Sequence, residues 1–352
     1  MSEHPLSDEA MLDENERPVP LGSGREAESA STPVEVATAA PNEDFSSATM
    51  VRARASAPAT GLRRLVYRVS CGMLILGPSA SEVRHHDLVA RVKTPVDGCR
   101  QLVVASRKGG VGKTTTCAFL SHTLAAYRGD RVIAVDGNPD AGTLGVRLLR
   151  ENTETITTLL RDREHLRTYG DVRAYTSQAP SRLEVLAADD DPRITEALGE
   201  EDFRTVVDVL QGFYNLICLD TGTGVLDSAN RGILRLGDQL VVVTTAAVDA
   251  GWAVARTLEW LSTNGHDELV RRAVVVVNAV HPPGGSVVDI ERIDGFFRAR
   301  CRAVIHIPWD PHLASGVESS LEELRPETQD AYLNLAATVA ADFRSPATQP
   351  RR

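Results

Sequence analysis

Cysteine is scarce and scattered. Cys71, Cys99, Cys117, Cys218 and Cys301 are odd in number and form no C-x-x-C pair. That argues against a zinc ribbon or a disulfide framework and leaves buried free thiols in a reducing compartment. Histidine offers one adjacent pair, His85–His86, which reads as a solvated helix face rather than a metal site. No stretch reaches the ~18 apolar residues that span a bilayer. The acidic start lacks the basic-then-apolar order of a secretory signal. The expectation is a cytoplasmic protein, with peripheral contact at the inner face of the membrane left open. Beyond residue 50 net charge is also nearly missing. The formal total is −10, and residues 1–50 hold eleven acids against two bases, which leaves −1 for residues 51–352. A near-neutral body lacks the basic excess that marks a dedicated nucleic-acid binder.

Residues 1–58 are rich in Ser, Ala, Glu and Pro and poor in large apolar groups. Such a segment cannot bury enough surface to offset its ordering entropy, so it reads as a disordered acidic tail. Residues 346–352 read as a second disordered tail. Residues 59–97 read as a helical extension. Within it Leu62, Leu65, Val66, Val69, Met73 and Leu76 share one helical face, while Arg63, Arg64 and Arg68 lie off it. Two readings fit this helix: docking on the main domain, or a surface that meets an anionic membrane or a partner protein. Gly77-Pro78 stops it, and Ser79 can cap a second helix over about 80–92.

From about Arg100 onward apolar runs alternate with helical patterns. Strands are expected at 101–105, 131–135, 183–187, 216–219, 239–244, 273–278 and 303–307, and helices at about 113–128, 193–212, 248–264, 286–299 and 328–343. Most of the strands are Val- and Ile-rich without alternation, as strands buried on both faces are. Strands separated by helices imply crossover connections. The expected fold class is therefore α/β, a doubly wound, mostly parallel sheet with helices on both faces. Ligands of such sheets sit at the carboxyl ends of the strands.

One such end carries chemistry. The first strand runs into Lys108, Gly109, Gly110, Val111, Gly112, Lys113, Thr114 and Thr115. Glycines let a backbone fold tightly and turn successive N–H groups onto phosphate oxygens. Lys113 brings a point charge to the outer phosphates, Thr114 a hydroxyl for Mg²⁺, and the following helix its N-terminal dipole. The general phosphate loop has Gly six positions before its lysine, where this chain has Arg107, and Lys108 is an added cation. With these departures the loop resembles the deviant Walker A family of MinD, ParA and the nitrogenase iron protein, over roughly residues 98–345.

The resemblance implies a P-loop NTPase domain of the SIMIBI-like kind, ATP and Mg²⁺ as cofactors, and several further residues. RVIAVDGNPDAGTLG resembles the second strand and first switch, with Asp136 near the magnesium. The family's second switch carboxylate falls on Asn138 here, and Asp140 follows two residues later, so the two are rival candidates for positioning the attacking water. YNLICLDTGTG resembles Walker B and the second switch, with Asp220 toward the metal. Asn278, Pro308 and Asp310 match positions that the family places beside adenine. Lys108 matches the lysine that reaches across a dimer interface to the partner's phosphates. The resemblance implies a slow ATPase and a homodimer formed on ATP binding. The helix before the domain, the LGPSASE stretch and the TGTG switch resemble MinD-like ATPases of actinobacterial type VII secretion loci, which makes secretion machinery a candidate partner. A chromosome or plasmid partitioning or cell-positioning ATPase is the alternative, with DNA a less favoured partner than a protein or a membrane surface. A third reading is a non-hydrolysing, nucleotide-sensing adaptor, which Asn138 keeps open.

Overall fold

The segment Arg100–Ala105, β1, is buried at every position. Its alternate residues serve opposite faces of one sheet, as the two-residue period of a strand requires. Leu102 and Val104 join one core with Leu120 and Tyr332, and Val103 and Ala105 join another with Val206 and Leu258. The computed structural model describes residues 79–345 except 139–142, 149, 192, 195–197, 223–227, 281–288 and 317–319. The sheet has eight strands: β1, β2 (Val132–Gly137), β3 (Ser177–Gln178), β4 (Glu184–Leu186), β5 (Leu216–Thr221), β6 (Gln239–Thr245), β7 (Val274–Val280) and β8 (Ala303–Pro308). Their order is β3-β4-β2-β5-β1-β6-β7-β8, and every pairing is parallel except β3 with β4. The doubly wound, mostly parallel sheet expected from the sequence is the observed one.

The helices are α1 (Ala80–Val92), α2 (Lys113–Tyr127), α3 (Leu144–Arg147), α4 (Ile156–Asp162), α5 (Tyr169–Arg173), α6 (Glu200–Leu210), α7 (Ser228–Leu236), α8 (Val248–Thr263), α9 (Asp267–Arg272), α10 (Ile290–Arg298), α11 (Pro311–Ser315) and α12 (Pro326–Ala340). One face of the sheet is covered by α1, α2 and α12, and the other by α4, α6, α8 and α9. Ser79 caps α1 in a reciprocal capping box with Glu82, a sequence signature of a helix start. Leu88 and Val92 then seat α1 in the same core as α12. The expected helix at 61–76 and both tails lie outside the described residues.

Differences from expectation are local. The expected strand at 183–187 shortens to β4, and the expected helix at 193–212 shortens to α6 among the described residues. Short β3 and the helices α3, α4, α5, α7, α9 and α11 are additions. Cys99, Cys117, Cys218 and Cys301 are buried free thiols. Burial pushes the Cys218 thiol up to about 12, which makes it inert at neutral pH. No helix among the described residues is long and apolar enough to cross a membrane.

Candidate functional site

The parallel register brings three strand ends together. Asp220 of β5 pairs with Val104 of β1 on one side and with Asp136 of β2 on the other. The chain leaving β1 enters the glycine loop, so two carboxylates stand beside that loop by topology alone. Both are fully buried. The Lys113 ammonium donates to Asp220 Oδ1 at 2.8 Å, and that lysine is itself 7% exposed. Asp220 Oδ2 is buried and has no hydrogen-bond partner among the described residues. Asp136 accepts backbone N–H bonds from Asn138 at 3.3 Å and from Leu144 at 2.9 Å. Burial, with the neighbouring Asp220 charge second, pushes the Asp136 carboxyl up to about 7. The N–H groups of Leu144 and Asn138 and the Lys113 charge pull the other way and are outweighed.

Two carboxylates and one lysine in a dry pocket leave a surplus of negative charge. Desolvation makes such a surplus costly unless a cation joins it. The orphaned Oδ2 of Asp220 and the buried Asp136 carboxyl are the donor set a hard, oxygen-seeking cation takes, and Mg²⁺ is of that kind. The pair also sets a pH dependence. A carboxyl whose folded pKa is raised contributes stability below its unfolded pKa of about 4 and loses it as pH rises through about 7. Asp136→Asn is therefore expected to raise the thermal midpoint of the ligand-free protein at pH 8 and to change it far less at pH 5. Calorimetric melts at the two pH values check this, and an equal change at both would remove the charge argument.

The loop itself is shaped for a close backbone approach. Gly112 is the N-cap of α2 in the left-handed region, with φ 84°, and a Cβ there would collide with the Asn278 amide. Asn278 Nδ2 in turn donates to the Val111 carbonyl at 3.0 Å, so the amide at the end of β7 braces the loop from the side. The Thr116 hydroxyl binds the Gly112 carbonyl at 2.9 Å and tightens the first turn of α2. A cavity of about 440 Å³ opens over this loop. Its walls include Lys108 through Thr115, Asn138, Asn278, Pro308 and Asp310. Of the sequence candidates, Asp136 and Asp220 lie just beneath, at the strand ends, and Asp140 falls outside the described residues.

Two candidates have partners that sequence reasoning did not foresee. Asp310 caps α11, and its carboxylate accepts from the N–H groups of His312 at 2.9 Å and Arg325 at 3.0 Å. Burial raises its pKa, and these N–H bonds, with the Arg325 charge, outweigh that and hold it below the ordinary value. It thus fixes the shape of the loop whose Pro308 and Trp309 face the cavity. Lys108 is exposed and pairs with Asp249 in the first turn of α8. The wall also holds residues that were not among the candidates, including Thr143, Arg147, Thr245 and Trp309. Only Trp309 carried a signal, as an aromatic between the two residues already singled out in the PWD string.

Comparison with known proteins agrees with the geometry. Residues 102–324 match the family model described as the CobQ/CobB/MinD/ParA nucleotide binding domain. The ESX-1 secretion-associated protein EspI of Mycobacterium tuberculosis is 39% identical over 272 residues, 76% of this chain and 40% of that protein. The chain thus spans well under half the length of this relative. Among solved structures, a ParA family ATPase from Chlorobium tepidum superposes with a TM-score of 0.57 at 18% identity, covering 68% of this chain and 98% of that one. The septum site-determining protein MinD of Pyrococcus horikoshii, complexed with Mg-ADP, superposes with a TM-score of 0.54 at 22% identity, covering 68% of this chain and 94% of that one. A glycine loop braced by a strand-end amide, two buried carboxylates on adjacent strands and a family match across most of the sheet converge: this chain belongs to the CobQ/CobB/MinD/ParA nucleotide-binding family.

Proposed function

We propose that this protein is an ATP-driven dimer switch: ATP joins two copies across their phosphate loops, and slow hydrolysis separates them. The observation that carries the reading is the buried Lys113–Asp220 pair with Asp136 alongside, at the mouth of the loop. That constellation suits a triphosphate with its metal better than an uncharged ligand. The loop N–H groups of Gly109 to Thr115 would cradle the phosphates, and Lys113 would meet their outer charge. Thr114, Asp136 and Asp220 would hold Mg²⁺, which neutralises charge on the β- and γ-phosphates when bound. Pro308, Trp309 and Asn278 frame the end assigned to the base.

For the dimer step Lys108 must leave Asp249. Both side chains are exposed, and exposed ion pairs are cheap to break. Lys108 can therefore be drawn toward a partner's phosphates by the larger charge it meets there. In hydrolysis a water attacks the γ-phosphorus while the bridging oxygen departs on ADP. That water needs orientation, and Asn138 lines the cavity where a carboxylate is usual for the family. An amide neither takes a proton at neutral pH nor adds negative charge, so turnover is expected to be slow.

Phosphate release under saturating Mg-ATP tests this. If Asn138 marks a lost acid, Asn138→Asp raises turnover several-fold and Asp140→Ala changes little. If Asp140 has taken over, Asp140→Ala costs about 10²–10⁴-fold, the usual worth of a positioned general base. A brisk wild-type turnover that survives both changes contradicts the assignment of the first switch.

The process served is inferred from similarity. The 39% identity to a secretion-associated protein supports a role beside a secretion machine, with the ATP-bound dimer docking to a protein component at the inner face of the membrane.

A further inference from the structure

Arg147 is a third cation on the wall of the nucleotide cavity, beside Lys108 and Lys113, and the resemblance does not account for it. It ends α3, the short helix after the first switch. The side chain is half-buried and lines the cavity. Among the described residues it has no carboxylate partner within ion-pair distance. Its neighbour Arg150 shows the usual fate of an arginine here, bonded to the carbonyls of Asn152 and Thr153 and to Asp190.

The position of the guanidinium is defined by what surrounds it. Its Nη2 lies beside Gly316, where an added Cβ would stand 3.5 Å away. Gly316 closes α11, the helix that follows Pro308–Asp310. The Arg147 charge is also felt at Tyr332 of α12, together with that of Asp310. Arg147 thus stands on the β8–α11–α12 side of the cavity, whereas Lys113 points to Asp220 on the β5 side. The two cations serve different parts of one elongated ligand. The backbone that carries Arg147 is fixed as well. Leu144 N–H donates to Asp136 Oδ2 at 2.9 Å, and Leu144 and Leu148 are buried in the core.

Among the described residues no carboxylate offsets the hydration this half-buried, cavity-facing guanidinium has lost. Its planar fork of donors matches a phosphate bidentately, which a lysine cannot do. With the outer phosphates assigned to Lys113 and the base to the Pro308–Trp309 loop, the phosphate between them is the one attached to the sugar. We propose that Arg147 binds the sugar-proximal α-phosphate of the nucleotide, and so acts equally on the di- and triphosphate. This rests on the nucleotide-site reading above.

Calorimetric titrations of ATP and of ADP into wild type, Arg147→Ala, Arg147→Lys and Lys113→Ala test it. Arg147→Ala is expected to weaken both nucleotides by about 10–100-fold, the worth of charged hydrogen bonds, with their affinity ratio unchanged. Arg147→Lys is expected to recover part of that loss, because it restores charge without the fork. The ligand-free thermal midpoint is expected to stay at the wild-type value, as a purely structural role would not allow. Unchanged affinity for both nucleotides, or a loss confined to ATP, overturns the proposal while Lys113→Ala still abolishes binding. A wild type that binds neither nucleotide overturns the site reading itself, and this proposal with it.

Discussion

Lys113→Ala is expected to lose measurable ATP binding and also to melt at a lower temperature than wild type. The two effects have one source. Lys113 and Asp220 are both buried, at 7% and 0% exposure, and touch at 2.8 Å. Deleting the ammonium removes the charge offered to the phosphates and strands Asp220 beside Asp136 in a dry pocket. Breaking a buried pair by removing one partner costs about 3–5 kcal/mol. A failure to bind could then reflect a damaged fold. The double variant Lys113→Met/Asp220→Asn separates the causes, because it removes both charges of the pair together. Its thermal midpoint is expected to return close to wild type, while ATP binding stays absent. Calorimetric ATP titration of that folded double variant with wild-type affinity would contradict the site.

Lys108→Ala is expected to behave in the opposite way. Lys108 is exposed and its partner Asp249 more so, so the fold does not depend on it. ATP affinity is expected to remain within a few-fold of wild type. Phosphate release is expected to fall by about 10³-fold or more, the scale of a cation supplied in trans to a phosphoryl transition state. Sedimentation with ATP should show monomers where wild type forms dimers. Asp249→Ala, which frees Lys108, should leave dimerisation intact or slightly favoured. If Lys108→Ala keeps both turnover and dimers, Lys108 is an ordinary surface residue of the loop.

The contrast between these two lysines was half legible in the sequence. Gly109 through Thr115 after a buried strand announced the phosphate loop, because few other uses require that glycine content at that place. Asp136 and Asp220 were legible as strand-end carboxylates, but their adjacency depends on β5 inserting between β1 and β2 in the sheet. Strand order is a property of long-range packing, and local composition does not encode it. The central strands were visible because burial on both faces demands unbroken Val and Ile runs. Two-residue β3, Ser177–Gln178, has no such run and is held by pairing to β4.

Helix α7 was hidden by Gly232, a poor helix former. There a Cβ would come within 2.7 Å of the Glu200 backbone, so close packing on α6 requires the glycine that masks the helix. Asp310 lies on the wall of the cavity over the glycine loop, yet both its oxygens serve backbone N–H groups that appear only once α11 and Arg325 are in place. Arg147 was illegible because an arginine ending a four-residue helix looks like any solvated one until the cavity wall is known.

Nucleotide state is expected to set oligomeric state. Light scattering of the wild-type protein in Mg²⁺ with ATP, and again with ADP, measures it directly. The expected result is a mass doubled by ATP and monomeric with ADP. A mass that is the same in both, whether monomer or dimer, would contradict it.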